Sequence, residues 1–535
     1  MKTPVFFLLT ILSVTILFAQ QETEFQDGPE LETSDAVEQT PASDNDSQGP
    51  ILEDALPQDD DAQDNVQDDA LPQQEDVQDD ALPQDDNVPK ENEEDIKIVP
   101  PPETVRPEEP VTPESVSPES AAPVPAAPVQ ENTDAITSTE PPNVVLVVAD
   151  ELGLGDVGCY FGSQNAAPRI CQLASDGLRF TDFSASAPDS LSAQRAIVTG
   201  RRFGKNVDTT GLGAIAKKHK YRTAFFGQWL LGTDSAALPT DCGFDVFWGI
   251  TEPAEKWSFH PVAGELNAPL KVWNNNVVVG YNLNPETYNK HIAAHAARFI
   301  NQPSQEPFFI CVFFPSFRPL TSQEPDAYKN AVESFDKAVG EIVDAVDNSP
   351  AADNTLFIVL ASRGPNRAWG AQAGSSGPYR ADVGFEGTIR VPCIVRYSGK
   401  VKPGVYNHFA NQLDVLPTVA QLWNVTDEEL GKREGKSLVS VLSGQTEPVY
   451  KSFAYFSSDG KIIAVRADRW KLYCPQEYKS VSKTEKSAPG VPAPYVIKTI
   501  DWELYDLSDD PGETTPKNNE RPDIVETIRK AIGRQ

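Results

Sequence analysis

The sequence predicts an α/β fold behind a long non-globular leader, and three observations carry this reading. Short apolar runs rich in β-branched and aromatic residues recur at Val144–Val148, Phe308–Phe314 and Leu356–Leu360, the composition of strands buried on both faces of a parallel sheet. Between the second and third runs, Val332, Phe335, Val339, Ile342, Val343 and Val346 recur at helical spacing, which predicts one amphipathic helix from about Pro325 to Asp347. Strand, helix, strand in that order implies a right-handed crossover in a sheet with helices on both faces.

The leader has two parts. Residues 1–20 open with Lys2, run through the apolar stretch Phe6 to Phe18 and end near Ala19, the layout of a secretory signal peptide. Thr10, Ser13 and Thr15 interrupt a segment already too short to span a bilayer, so the alternative to cleavage is an interfacial anchor. Export to the periplasm, cell surface or medium is therefore expected, with no stable membrane insertion once the signal is removed. From Gln21 to Glu140 there are 35 acidic against three basic residues, so this stretch holds −32 of the chain's formal −34. Asp-Ala-Leu-Pro-Gln recurs at Asp54, Asp69 and Asp80, followed by a Pro-rich run from Pro100 to Pro142, and Phe25 is the stretch's only aromatic. Such a segment cannot bury enough apolar area to offset its ordering entropy, so residues 21–141 read as a disordered tail, either a plain solvated linker or a cation-binding brush. The uneven repeat spacing argues against a solenoid. With the tail set apart, the folded part is nearly neutral and has no basic footprint for nucleic acid.

Six cysteines, at 159, 171, 242, 311, 393 and 474, all lie in the globular part, and none forms a closely spaced metal-ligand pair. Cys311 and Cys393 read as buried apolar residues. An exported chain permits a disulfide, and Cys159 with Cys171 is the first pair to test. His291 and His295 share a helix face at i, i+4 but lack a neighbouring Glu or a third ligand, so they read as surface or semi-buried helix residues rather than a zinc site. Trp470 and Tyr473 read as core near the C-terminus.

In open sheets of this type the ligand site lies beyond the carboxyl ends of the strands. Here that brings together Asp150 and Glu151 after the first run and Ser362 and Arg363 after the last.

Several phrases, in order, resemble the sulfatase family of the alkaline-phosphatase-like superfamily. Asn143 to Gly153 matches that family's opening strand and acidic pair, continued by Gly155-Asp156-Val157-Gly158-Cys159-Tyr160. Leu178 to Phe183 and Thr199-Gly200-Arg201 bracket the family's nucleophile region; Tyr221-Arg222-Thr223-Ala224, Gly243-Phe244-Asp245, Glu386-Gly387, Ile389-Arg390-Val391-Pro392 and Asp414-Val415-Leu416-Pro417-Thr418 follow. Asp468 to Leu472, Glu503 to Leu507 and Asp509 to Glu513 resemble its small C-terminal domain. The resemblance implies an alkaline-phosphatase-like mixed, mostly parallel sheet sandwiched by helices over residues 142–445, then a small α+β domain over 446–535.

It also implies a chemistry: a divalent cation, usually calcium, on four oxygen ligands, and a Ser or Cys converted to formylglycine that attacks sulfur. Against that pattern Asp150 is retained and Glu151 replaces the second Asp, while Ser362 and Arg363 stand where Asp and Asn are expected. A guanidinium cannot ligate a cation and repels one. The nucleophile position falls on Ser190, followed by Ser192 and Gln194 where Pro and Arg are expected. Arg195 is displaced by one residue, about 100° around a helix. Ser190 also reads as a helix cap, since Asp189-Ser190 precedes an apolar helix start. Gln228, Leu230 and Phe317 occupy positions of a Lys and two His, and Ala381 loosely that of another Lys. The expectation is an exported sulfatase-like protein, catalytically inactive, with Arg363 pairing with Asp150 and Glu151 in the cation's stead. No cofactor is then needed, and sulfated or other anionic glycans are candidate ligands. The alternatives are an active sulfuric ester or phosphoester hydrolase that uses Ser190, with calcium if the site is active, and a surface protein displayed on its acidic stalk. The oligomeric state is left open.

Overall fold

The computed structural model describes residue 136 and residues 140–532, apart from 165, 204–209, 233–236, 260–267, 317–325, 458, 483–486 and 488–490. Residues 1–20, where a signal peptide is expected, nearly all of the tail, His260 and Phe317 lie outside the described residues.

Eleven strands in chain order build the main part: β1 (Asn143–Ala149), β2 (Leu178–Phe180), β3 (Phe183–Ser184), β4 (Arg222–Gln228), β5 (Val246–Ile250), β6 (Lys271–Asn274), β7 (Val277–Tyr281), β8 (Phe308–Phe314), β9 (Thr355–Ala361), β10 (Cys393–Tyr397) and β11 (Gly404–Tyr406). Ten of them form one sheet in the order β11-β2-β10-β9-β1-β8-β4-β5-β6-β7. The central five, β9 to β5, run parallel, and antiparallel strands β10, β6 and β7 extend the sheet on either side. β3 pairs instead with β12 (Ala410–Asn411).

The three apolar runs are the three middle strands, each extended by at most one residue at either end. β1 lies between β8 and β9, with Leu146 level with Cys311 and Ile358. Every residue of β1, β8 and β9 is buried, which requires cover on both faces and explains why these runs are continuously apolar rather than alternating. The predicted helix is Ala327–Asp347 and packs on the helices Pro285–Ile300 and Pro168–Asp176; a second helix group, Ser190–Thr199, Leu212–Lys218 and Val415–Leu422, packs together elsewhere on the sheet. Gly227, at φ +105°, lets β4 pass close to β8: a Cβ there would lie 2.0 Å from the Phe313 carbonyl oxygen, which only glycine avoids.

Cys311 and Cys393 are buried as expected. His295 stacks on Trp248 with ring centroids 4.4 Å apart, His291 lies 5.9 Å from the same ring, and burial lowers the His295 pKa, so these two belong to a helix face.

Beyond residue 445 a four-stranded antiparallel sheet forms from β13 (Ser452–Phe456), β14 (Ile462–Ala467), β15 (Trp470–Tyr473) and β18 (Glu503–Asp506), beside the hairpin β16 (Gln476–Val481) and β17 (Tyr495–Ile500). Trp470 and Leu472 pack beneath the helix Pro522–Ile532, while Phe453, Tyr455 and Tyr473 join the main core. A buried network of three carboxylates and three cations fixes this junction. Arg466 grips Asp182 with bonds of 2.9 and 2.6 Å. Arg390 joins Asp182 to Glu386, and Lys471 joins Glu386, at 2.7 Å, to Glu513, at 3.1 Å.

Candidate functional site

The carboxyl ends of β8, β1 and β9 are held level by backbone bonds, Asp150 N–H to the Phe314 carbonyl at 3.1 Å and Ser362 N–H to the Ala149 carbonyl at 2.8 Å. From there the side chains of Asp150, Glu151, Ser362 and Arg363 converge, as the strand order predicts. Glu151 takes a left-handed backbone at φ +62°, an uncommon state for a non-glycine residue that surrounding contacts must hold.

Asp189, rather than Ser190, caps the helix Ser190–Thr199, accepting the Ser192 N–H at 2.8 Å. This corrects the capping alternative for Ser190 and leaves its hydroxyl free to face the site, where it donates to Asp150 Oδ1 at 2.6 Å. The Ser362 hydroxyl donates to the same oxygen. Arg363 is 18% exposed; its guanidinium forms an ion pair with Glu151 and its Nε donates to Ser190 Oγ at 3.1 Å. The Ser316 hydroxyl extends this chain of contacts by donating to Glu151 Oε2 at 3.0 Å. The expected pairing of Arg363 is thus divided: its ion pair is with Glu151, while Asp150 is engaged by two hydroxyls and acts on Arg363 through its charge. Burial lowers the Arg363 pKa and the Asp150 charge raises it. A guanidinium remains charged throughout the physiological range.

Arg195 does not line the site. Its neighbour Gln194, 2% exposed, donates to the Gln228 carbonyl at 2.8 Å and accepts the Leu230 N–H at 2.7 Å, so it ties this helix to the end of β4. Gln228 turns its amide oxygen to the Ala254 N–H at 3.2 Å. The residues that replace the expected cation and acid/base group here are thus built into the backbone scaffold. Sequence reasoning named Gln194 but missed this role, and it missed Ser316 and the loop residues that follow.

A cavity of about 770 Å³ opens over this cluster, walled by Leu191, Leu230, Trp369 and Tyr495 among others. Its described lining holds five carboxylates, Asp150, Glu151, Asp189, Glu252 and Glu255, against Lys256 and Arg363. Both cations already have carboxylate partners, Lys256 with Glu252 at 2.6 Å and Arg363 with Glu151.

The loop that follows Glu151 carries Asp156, which accepts hydrogen bonds from the Ser375 N–H at 2.8 Å, the Gly153 N–H at 2.9 Å and the Tyr328 hydroxyl at 3.0 Å. Burial outweighs these bonds and raises its pKa to about 6. The folded state therefore holds this proton more tightly than the unfolded chain does. The stability it contributes is fullest below pH 3.8 and is lost as pH rises through about 6, by up to about 3 kcal/mol. Urea midpoints of the full chain should show this fall, and Asp156→Asn should flatten it.

Ten strands with a parallel centre, clustering acidic and hydroxyl groups beyond their carboxyl ends, define an alkaline-phosphatase-like scaffold. Within that class the chain belongs to the sulfatase family, whose model matches residues 142–425. It is similar to Arylsulfatase A of Homo sapiens, 28% identical over 428 residues, covering 70% of this chain and 82% of that protein. Among solved structures, the PsFucS1 sulfatase from Pseudoalteromonas sp. superposes with a TM-score of 0.62 at 22% identity, covering 74% of this chain and 90% of that one. A sulfatase described with the metabolism of multiple glycosaminoglycans by Bacteroides thetaiotaomicron gives 0.59 at 19% identity, covering 74% and 99%.

The family typically uses calcium, and the donor set here does not fit it. Calcium takes six to eight oxygens, several of them from carboxylates or amides free to turn toward it and the rest from water. Here Arg363 is bound to one of the two carboxylates and hydroxyl donors hold the other. Among the described residues no group of three or more His, Cys, Asp or Glu is arranged to hold a metal.

Proposed function

We propose that this chain is an exported sulfatase-family protein that does not hydrolyse sulfuric esters and retains the cavity for binding or interaction. The observation that carries this is the Arg363–Glu151 ion pair, which sets a fixed positive charge among the carboxylates. Cleavage of a sulfate ester needs a cation, donors and an activated nucleophile aimed at developing charge. Leu230 offers no proton, and both described cavity cations are paired. Sulfated or other anionic glycans are the ligand class to test first, because a structural neighbour belongs to glycosaminoglycan metabolism. On this chain a sugar ring would pack on Trp369 and Tyr495 and reach a cation only by competing with Glu151 or Glu252.

A second reading is favoured by one geometry, the Ser190 hydroxyl between the Asp150 carboxylate and the Arg363 guanidinium. In that reading Asp150 takes the hydroxyl proton as Ser190 attacks the sulfur or phosphorus of an ester, the ester bond breaks, and the alcohol leaves with that proton. Turnover of an aryl sulfate and an aryl phosphate by the full chain, with and without calcium, separates the two. We expect background rates and an unmodified Ser190 by mass spectrometry. Turnover abolished by Ser190→Ala, or formylglycine at position 190, would establish the hydrolase instead.

A further inference from the structure

The loop that leaves the site carries a feature the hydrolase reading does not use. Four of the six cysteines, Cys242, Cys311, Cys393 and Cys474, are buried. Cys159 and Cys171 are only half-buried, and they face each other across twelve positions of chain. The Cys159 N–H donates to Cys171 Sγ at 2.9 Å, which sets the second sulfur against the first residue's own backbone. Both ends of this approach are fixed. The Gly158 N–H bonds to the Ala166 carbonyl at 2.9 Å, Arg179 Nη1 donates to the Cys159 carbonyl at 2.6 Å, and the Tyr160 hydroxyl donates to the Cys393 carbonyl at 2.9 Å. Cys171 sits in the first turn of the helix Pro168–Asp176, which packs on Ala327–Asp347.

We propose that Cys159 and Cys171 are a disulfide-forming pair, oxidised by thiol–disulfide exchange, that staples the loop following Glu151 to the helix Pro168–Asp176. The two thiols have unequal roles. The hydrogen bond from the Cys159 thiol, and after it the Cys159 N–H, lower the Cys171 pKa to about 7, while Cys159 is raised by the same shared bond and by burial. Cys171, whose sulfur accepts the Cys159 N–H, is assigned the first attack, since the thiolate is the nucleophile and a backbone donor favours it. Its sulfur attacks one sulfur of an external disulfide, whose S–S bond breaks and releases one thiol. Cys159 then gives up its proton and attacks Cys171 Sγ, and the second external thiol leaves. The chain loses two electrons, the external disulfide gains them, and the two protons end on the two released thiols.

The consequence reaches the site. The loop held by the bond starts at Glu151, whose left-handed backbone and ion pair with Arg363 depend on where that loop runs. Closing a loop of this length restricts the unfolded chain more than the folded one, so the oxidised form is the more stable.

The test uses the full chain equilibrated with oxidised glutathione at pH 8, then denatured, alkylated and weighed. We expect wild type to take up alkylating agent at four cysteines rather than six, with residues 159 and 171 cross-linked in the peptide map. Cys159→Ser should instead keep one glutathione on Cys171. The oxidised wild type should melt a few degrees higher than the reduced form, and Cys171→Ser should show no such shift on reduction. Six alkylatable thiols after equilibration, or a cross-link through any of the four buried cysteines, would overturn the proposal. A cross-link at the right positions with no change in melting would overturn the stapling role.

Discussion

Replacing Lys471 by methionine is expected to lower the unfolding free energy by about 3–5 kcal/mol, the range for removing one partner of a buried ion pair. Lys471 has no exposed side-chain surface, and its ammonium lies 2.7 Å from Glu386 and 3.1 Å from Glu513, themselves 2% and 0% exposed. Methionine fills similar volume without the charge, so two buried carboxyl groups would keep only Arg390 as an ion-pair partner, on Glu386, with Arg466 acting on Glu386 through its charge. The Glu513 carboxyl also accepts the Glu386 N–H at 2.7 Å and the Tyr473 hydroxyl at 2.6 Å, so it anchors backbone as well as Lys471, while burial raises its pKa. A denaturant titration of full-length wild type and variant measures the difference. A loss below about 1 kcal/mol, the size of an exposed pair, would mean that the network relaxes or hydrates and does not lock the junction.

A second large effect is expected at Arg363. Arg363→Asn removes the partner of Glu151, which is 5% exposed, and should cost about 3 kcal/mol. Adding Ser362→Asp restores the ligand types the family places at these two positions. With three carboxylates and an amide at the strand ends, the double variant should melt higher in calcium, by about 2.7 kcal/mol of stabilisation when calcium stands at a hundred times its dissociation constant. Wild type should gain far less, and because it carries the same acidic tail it controls for loose binding there. An equal gain in wild type would show that calcium reaches the site despite the guanidinium, and the non-catalytic proposal would lose its main support.

The three central strands were legible because burial on both faces leaves no polar alternation, so Val144–Val148, Phe308–Phe314 and Leu356–Leu360 stand out as runs. The long helix was legible because one face of Ala327–Asp347 must meet the core. Asp150, Glu151, Ser362 and Arg363 could be placed together because parallel strands bring their carboxyl ends to one edge whatever the intervening sequence. The partners of those groups were not legible. Whether Asp189 or Ser190 caps the helix depends on the loop's approach, and that choice decides whether the Ser190 hydroxyl reaches Asp150. Gln194 looked like a lost arginine and is a clip to the end of β4. Ser316 comes from the end of β8 and carries no motif.

The sequence alone determined the fold class, the family resemblance and the substitution of a permanent cation at a ligand position, because these follow from residue type, periodicity and order along the chain. Only the tertiary structure decided that Arg363 pairs with Glu151 while Asp150 is held by two hydroxyls. It alone brought Asp182, Glu386 and Glu513 to Arg390, Arg466 and Lys471, and it set the Cys159 N–H against Cys171 Sγ, a pair the sequence had already singled out. Such pairings depend on distances of about 3 Å between groups from separate segments, and local sequence carries no record of which side chains the packed backbone will bring within reach.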